Sequence, residues 1–160
     1  MPGTPDEATS VESTEVDDAF RALLEGLRTT LSGVQVLFAF LFILPFQASF
    51  PDLTDLERTA YYVAFFGTAV ASVLLIAPSA HQRIRAPKTG VRRHSRSNLD
   101  YAVRMTVVGT FVFSVALVSG VYLVSSLVFS SATATIPATV LGVGIAWAWF
   151  YVPLVTFDRS

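Results

Sequence analysis

Four stretches of the chain, residues 31–50, 60–80, 105–129 and 137–157, contain no Asp, Glu, Lys, Arg or His. Nothing else in the sequence constrains the fold as strongly. At 1.5 Å per residue, a helix of about 20 residues crosses the roughly 30 Å of hydrocarbon in a bilayer. Inside hydrocarbon every backbone N–H and C=O must find its partner within the protein, and helices meet that demand segment by segment. A β-barrel would instead show strands of about ten residues in strict alternation. The composition agrees: 52% of residues are hydrophobic, 14% are charged and the mean hydropathy is +0.57, far from the averages of a water-soluble domain. The expected fold class is all-α, a polytopic membrane protein with four transmembrane helices.

The charges are sorted along the chain. Seven of the eleven basic residues, Arg83, Arg85, Lys88, Arg92, Arg93, Arg96 and Arg104, fall between the second and third runs, where Asp100 is the sole acid. The positive-inside rule places that segment in the cytoplasm and, with four spans, both termini beside it in a plasma membrane protein. These bases are the expected contacts to anionic lipid headgroups, each contributing on the order of 1 kcal/mol near such a surface. No nucleic-acid partner is expected. The amino end carries six unopposed acids between Asp6 and Asp18, so residues 1–13 read as a disordered acidic tail and residues 14–160 as one transmembrane domain. After the tail, Phe20, Leu23, Leu24, Leu27, Leu31 and Val34 recur at helical steps, predicting an amphipathic cytoplasmic helix, capped by Ser13 or Thr14, that runs into the first span.

Arg28, Ser32 and Gln35 continue one polar stripe into the first span, with Gln35 expected about one turn above the inner boundary. Ser32, Gln35, Thr68 and Ser72 are the candidates for a polar path. Pro45 removes a backbone donor and is expected to bend the last third of that span. Phe38, Phe42 and Phe46 recur every four residues as lipid contact or core. Small residues form ridges that let helix backbones approach closely: Ala134, Ala138, Gly142 and Ala146 in the fourth run, Ala64, Thr68 and Ser72 in the second, and Ala116 with Gly120 in the third. Such ridges serve contacts within a bundle or between copies, and a homo-oligomer is expected. Trp147 lies near mid-depth, where its indole N–H needs a partner on an adjacent helix.

The segments GVQVLFAFLFILPF, DLERTAYY and LLIAPSAHQRI resemble a family of small bacterial membrane proteins known only as a domain of unknown function. The resemblance covers about residues 20–105. It rests on Gly33, Gln35, Pro45, Arg58, Tyr61 or Tyr62, Pro78 and His81. One departure is that Gln82 separates His81 from Arg83, where the family pattern has His and Arg side by side. The resemblance implies the fold and the membrane placement and transfers no mechanism.

Catalysis is not expected. With no cysteine there is no thiolate nucleophile or thiolate metal site. The spans offer only hydroxyls, and neither His81 nor His94 has the His or Glu partner at helical spacing that a metal site needs. No cofactor is expected. His81 is the candidate pH sensor, being the imidazole beside the basic segment. The expected role is that of a non-enzymatic accessory, scaffold or lipid-binding protein. An oligomeric small-ion channel or transporter is the alternative.

Overall fold

The structure is a computed structural model and describes residues 5–85, 96–129 and 131–151. Among these residues there are four α-helices and no strand: α1 (Pro5–Ile43), α2 (Asp55–Arg85), α3 (Arg96–Val128) and α4 (Ser131–Ile145). Helices α1, α2 and α3 are long and apolar enough to cross a membrane, while α4 belongs to a shorter apolar helical stretch. Three further residue groups are helical in other ways: Leu44–Phe46 and Phe50–Asp52 form 3₁₀ turns, and Ala146–Tyr151 continues α4 as a π-helix. The expected fourth span at 137–157 therefore begins inside α4, and its last residues, 152–157, lie outside the described residues.

Helix α1 has 39 residues, about 58 Å at 1.5 Å per residue. It is unbroken from Pro5, so the residues expected as tail from position 5 onward continue the same helix. Pro5 suits a first turn, where its missing N–H has no intrahelical partner to lose. Phe20, Leu27, Val34 and Leu41 are all buried. Their spacing of seven residues is the seam that keeps one face of a helix against its neighbours over many turns. Half-buried Leu23 and Leu37 and buried Leu44 fill the alternate layer.

Pro45 does not bend α1 within a longer helix. The α-helix ends at Ile43, and Pro45 sits in the first positions of the 3₁₀ turn that follows. A proline there loses no helical hydrogen bond, whereas three residues further into an α-helix it would leave a carbonyl orphaned in hydrocarbon. Gln47 N–H then bonds the Leu44 carbonyl at 3.0 Å and Phe50 N–H the Gln47 carbonyl at 3.1 Å, carrying the chain tightly into α2.

Helices α2 and α3 form the closest pair, and small residues explain why. A Cβ placed on Gly67 would lie 3.1 Å from the Ala116 Cβ, one on Gly109 would lie 3.0 Å from Leu75 Cγ, and one on Gly120 would lie 4.0 Å from Ala64 Cβ. These pairings descend one helix as they climb the other, so α2 and α3 run antiparallel. Helix α1 packs across both. Leu41, Leu44, Tyr61, Ala64 and Leu123 form one core cluster and Leu27, Val34, Ala71, Leu75 and Phe113 a second. Helix α4 approaches α3 alone among the described residues. The arrangement is consequently an open row, with α1 against α2 and α3 and with α4 on α3.

Candidate functional site

Three regions hold the residues singled out in the sequence: the basic end of α2 and α3, the acidic end where α1 meets α2, and the outward face of α1.

At the basic end the two antiparallel helices are tied by an edge-to-face contact, with the His81 and Tyr101 rings 5.5 Å apart at 65°. His81 is exposed, and its Nδ1 stands 3.1 Å from the Ala77 carbonyl. Helix α2 continues past His81 through Arg83 to Arg85, and α3 begins at Arg96 and passes through Arg104. The fold thus brings four of the seven predicted headgroup contacts to one end. Lys88, Arg92, Arg93 and His94 lie outside the described residues. Pro78 is tolerated within α2, one turn before the helix leaves its uncharged run.

At the acidic end, Glu57 is buried at 8% exposure. Its carboxylate accepts the Thr54 N–H at 2.8 Å and the Thr54 hydroxyl at 2.8 Å, while the Thr54 hydroxyl accepts the Glu57 N–H at 3.4 Å. This reciprocal pattern is a capping box, which satisfies two donors left over at a helix start. The spacing Thr54-x-x-Glu57 is the signal that announces it in the sequence. Nearby, Phe38 stacks on Phe65 with centroids 5.2 Å apart, and Phe50 meets Tyr61 edge-on at 5.1 Å. An open cleft of about 360 Å³ borders this end, lined by apolar residues such as Phe40, Ile43 and Leu53 together with Gln47 and Ser49.

The four candidates for a polar path do not converge. Thr68 is fully buried, Ser72 is half-buried, and Ser32 and Gln35 are exposed on α1. Thr68 donates to the Ala64 carbonyl at 2.6 Å and Ser72 to the Thr68 carbonyl at 2.8 Å. Thr30, Thr106, Ser114 and Ser119 likewise donate to the carbonyl one turn back. Hydroxyls bonded in this way are satisfied by their own helix and present no donor to a lumen.

The small-residue ridge of α4 faces α3 through Ala134 and Ala138, both buried, and through Gly142, where a Cβ would meet Val118 at 3.7 Å. Ala146 departs from it: this residue opens the π-helical segment and is exposed, with Ile145 buried instead. The wider i to i+5 repeat rotates the face, which a four-residue spacing rule does not anticipate. Trp147 and Trp149 are also exposed on this segment. Trp147 has no hydrogen-bond partner on an adjacent helix among the described residues, contrary to expectation.

Gln35 lies deeper than its distance from Arg28 implied. Leu37 Cδ1 is 3.5 Å from where a Cβ on Gly120 would be, and Phe38 stacks on Phe65. These contacts set Gln35 level with Thr68 of α2 and Val118 of α3, close to the middle of both uncharged runs. The first span was placed by its last charge, whereas its depth is set by the helices it packs against.

Among the described residues no group of three or more His, Cys, Asp or Glu is placed to hold a metal ion. No characterised protein and no solved structure matches the chain. A match to the family described as a family of unknown function, DUF6328, extends over residues 10–153, taking in the third and fourth runs that the sequence motifs left uncovered, and the chain belongs to that family.

Proposed function

We propose that the chain is a non-catalytic, multi-pass protein of the plasma membrane with both termini in the cytoplasm, where its basic segment engages anionic lipid headgroups. The observation that carries this reading is the shared end of α2 and α3. The His81–Tyr101 contact holds the two helix ends together, and Arg83 and Arg85 fall in the last turns of α2 while Arg96 and Arg104 fall in the first turns of α3, beyond one end of the uncharged runs. The opposite end carries Asp52, Asp55 and Glu57 against Arg58 alone. An asymmetry of this kind orients helices by the positive-inside rule and attracts anionic lipid to the basic side. A non-catalytic role is supported by the hydroxyls of α2 and α3, which are spent on their own backbones.

The test is thermal stability of the purified protein in mild detergent with added phosphatidylglycerol or phosphatidylcholine. Phosphatidylglycerol is expected to raise the melting temperature more than phosphatidylcholine, with the difference shrinking in high salt and falling when Arg92, Arg93 and Arg96 are replaced by Ala. Equal shifts with both lipids refute the reading.

A further inference from the structure

The outward face of α1 carries a second seam. Arg21, Glu25, Arg28, Ser32, Gln35, Ala39 and Phe42 follow one another at alternating steps of four and three residues, and every one of them is exposed, as is Phe46 in the 3₁₀ turn that follows. That is the spacing of a coiled-coil seam, laid along the side opposite the buried Phe20, Leu27, Val34 and Leu41. Its polarity is graded: charged toward the basic end, hydroxyl and amide toward the middle, aromatic toward the acidic end. Along this side Phe42 borders α2, its ring centroid 6.4 Å from that of Phe65, and the other seam residues are exposed.

Two features of the seam are costly for a chain surrounded by lipid. The Gln35 amide lies near mid-depth, and neither its side chain nor that of Ser32 makes a hydrogen bond among the described residues. An amide left unpaired in hydrocarbon costs free energy that lipid tails cannot return. Glu25 and Arg28 stand seven to ten residues nearer the basic end, and neither has an ion-pair partner among the described residues.

We propose that this seam is a self-association surface on which a second copy of the chain docks, parallel to the first and related by a two-fold axis along the membrane normal. Copies inserted in the same orientation that meet through the same face are related in this way, with residues of equal depth facing each other. A carboxamide is both donor and acceptor, so Gln35 pairs with its own counterpart. Glu25 of one copy lies one layer, about 4.5 Å along the axis, from Arg28 of the other, within reach of a diagonal ion pair. Ala39 provides the close approach just beyond Gln35, and Phe42 and Phe46 close the seam at the acidic end. The self-complementarity of amide and charge selects a second copy over an unrelated helix.

The chain has no cysteine, so single-cysteine variants report contacts directly. The full-length Ala39→Cys variant, reconstituted in phosphatidylcholine bilayers, is expected to oxidise to a disulfide-linked dimer. Variants at Val73 and Val140, exposed on α2 and α4, are expected not to, since the bond requires Cα atoms within about 7 Å. Adding Gln35→Leu should lower the crosslinked fraction and weaken association measured by energy transfer between labelled copies about tenfold, the scale of an interhelical hydrogen bond in membranes. That substitution makes an exposed position more apolar, so helicity by circular dichroism should be unchanged. Crosslinking at Ala39 no greater than at Val73 and Val140 overturns the proposal, as does undiminished association with Gln35→Leu. Neutral lipid keeps the outcome separate from headgroup binding.

Discussion

Three glycine-to-alanine substitutions test the packing directly, because each adds the same methyl group to a different gap. At Gly142 the new Cβ would sit 3.7 Å from the nearest Val118 atom, an ordinary contact, so Gly142→Ala should stabilise by up to about 1 kcal/mol through helix propensity and reduced chain entropy. At Gly67 the nearest atom is the Ala116 Cβ at 3.1 Å, with the Ala116 Cα at 3.7 Å and the Val112 carbonyl oxygen at 3.8 Å. None of these can rotate away. Only separation of α2 from α3 relieves the clash, and overpacking of this kind costs about 1–3 kcal/mol. At Gly109 the neighbours are Leu75 Cγ and Cδ2 at 3.0 Å and Leu74 Cβ at 3.2 Å. Leucine can in principle change rotamer, but Leu75 is fully buried and has no free volume to enter, so a similar cost is expected. Equilibrium unfolding in mixed micelles, followed by far-ultraviolet circular dichroism, should therefore place Gly67→Ala and Gly109→Ala about 2 kcal/mol below Gly142→Ala. Adding Ala116→Gly should recover most of the loss at Gly67 and little of that at Gly109, since the two sites share no partner. If all three variants unfold together, the helices are not in contact at these glycines and the antiparallel register is wrong.

The remaining predictions concern the caps, the hydroxyls and the topology. Thr54→Ala and Glu57→Ala should each cost about 1 kcal/mol, and the double variant little more than either alone, because both break one reciprocal cap; hydrogen exchange in the first turn of α2 would show the fraying. Thr68→Val should change stability by less than about 0.5 kcal/mol despite full burial, as the hydroxyl bonds only its own helix; a loss above about 1 kcal/mol in the same unfolding assay would mean that Thr68 bridges two helices. Trypsin should cut between the basic residues near Arg92 and Arg93 in inside-out vesicles and leave right-side-out vesicles intact. The opposite pattern would invert the orientation.

What could be read from the sequence divides along a physical line. A buried face is legible wherever apolar and polar residues alternate with the helical period, and the spacing of Phe20, Leu27 and Val34 marks the packed side of α1. Small-residue ridges were legible for a related reason: Ala64 and Ala116 are fully buried where α2 and α3 approach, and Gly142 faces Val118 of α3. In α4 the pattern failed at Ala146. A segment apolar on every side has no polar face to mark its rotation, so a change from α to π geometry leaves no trace in hydropathy.

Depth is a different kind of quantity. A charge such as Arg28 seems to mark where hydrocarbon begins, yet side chains on a helix lean toward its amino terminus and a long arginine can carry its charge several ångströms along the axis. The marker is therefore soft by more than a turn for a helix entering from its amino end. For α2 the error is smaller, because its basic residues follow the span and lean back toward it. Contacts between helices have no such slack: Phe38 on Phe65 and Leu37 at Gly120 fix the axial position of α1 to within a residue or two. That difference moves Gln35 from about one turn above the inner boundary to the middle of the uncharged runs. There the same amide changes from a group that water can satisfy to one that only another polar group can, and Thr68, at that depth on α2, is already bonded to its own backbone.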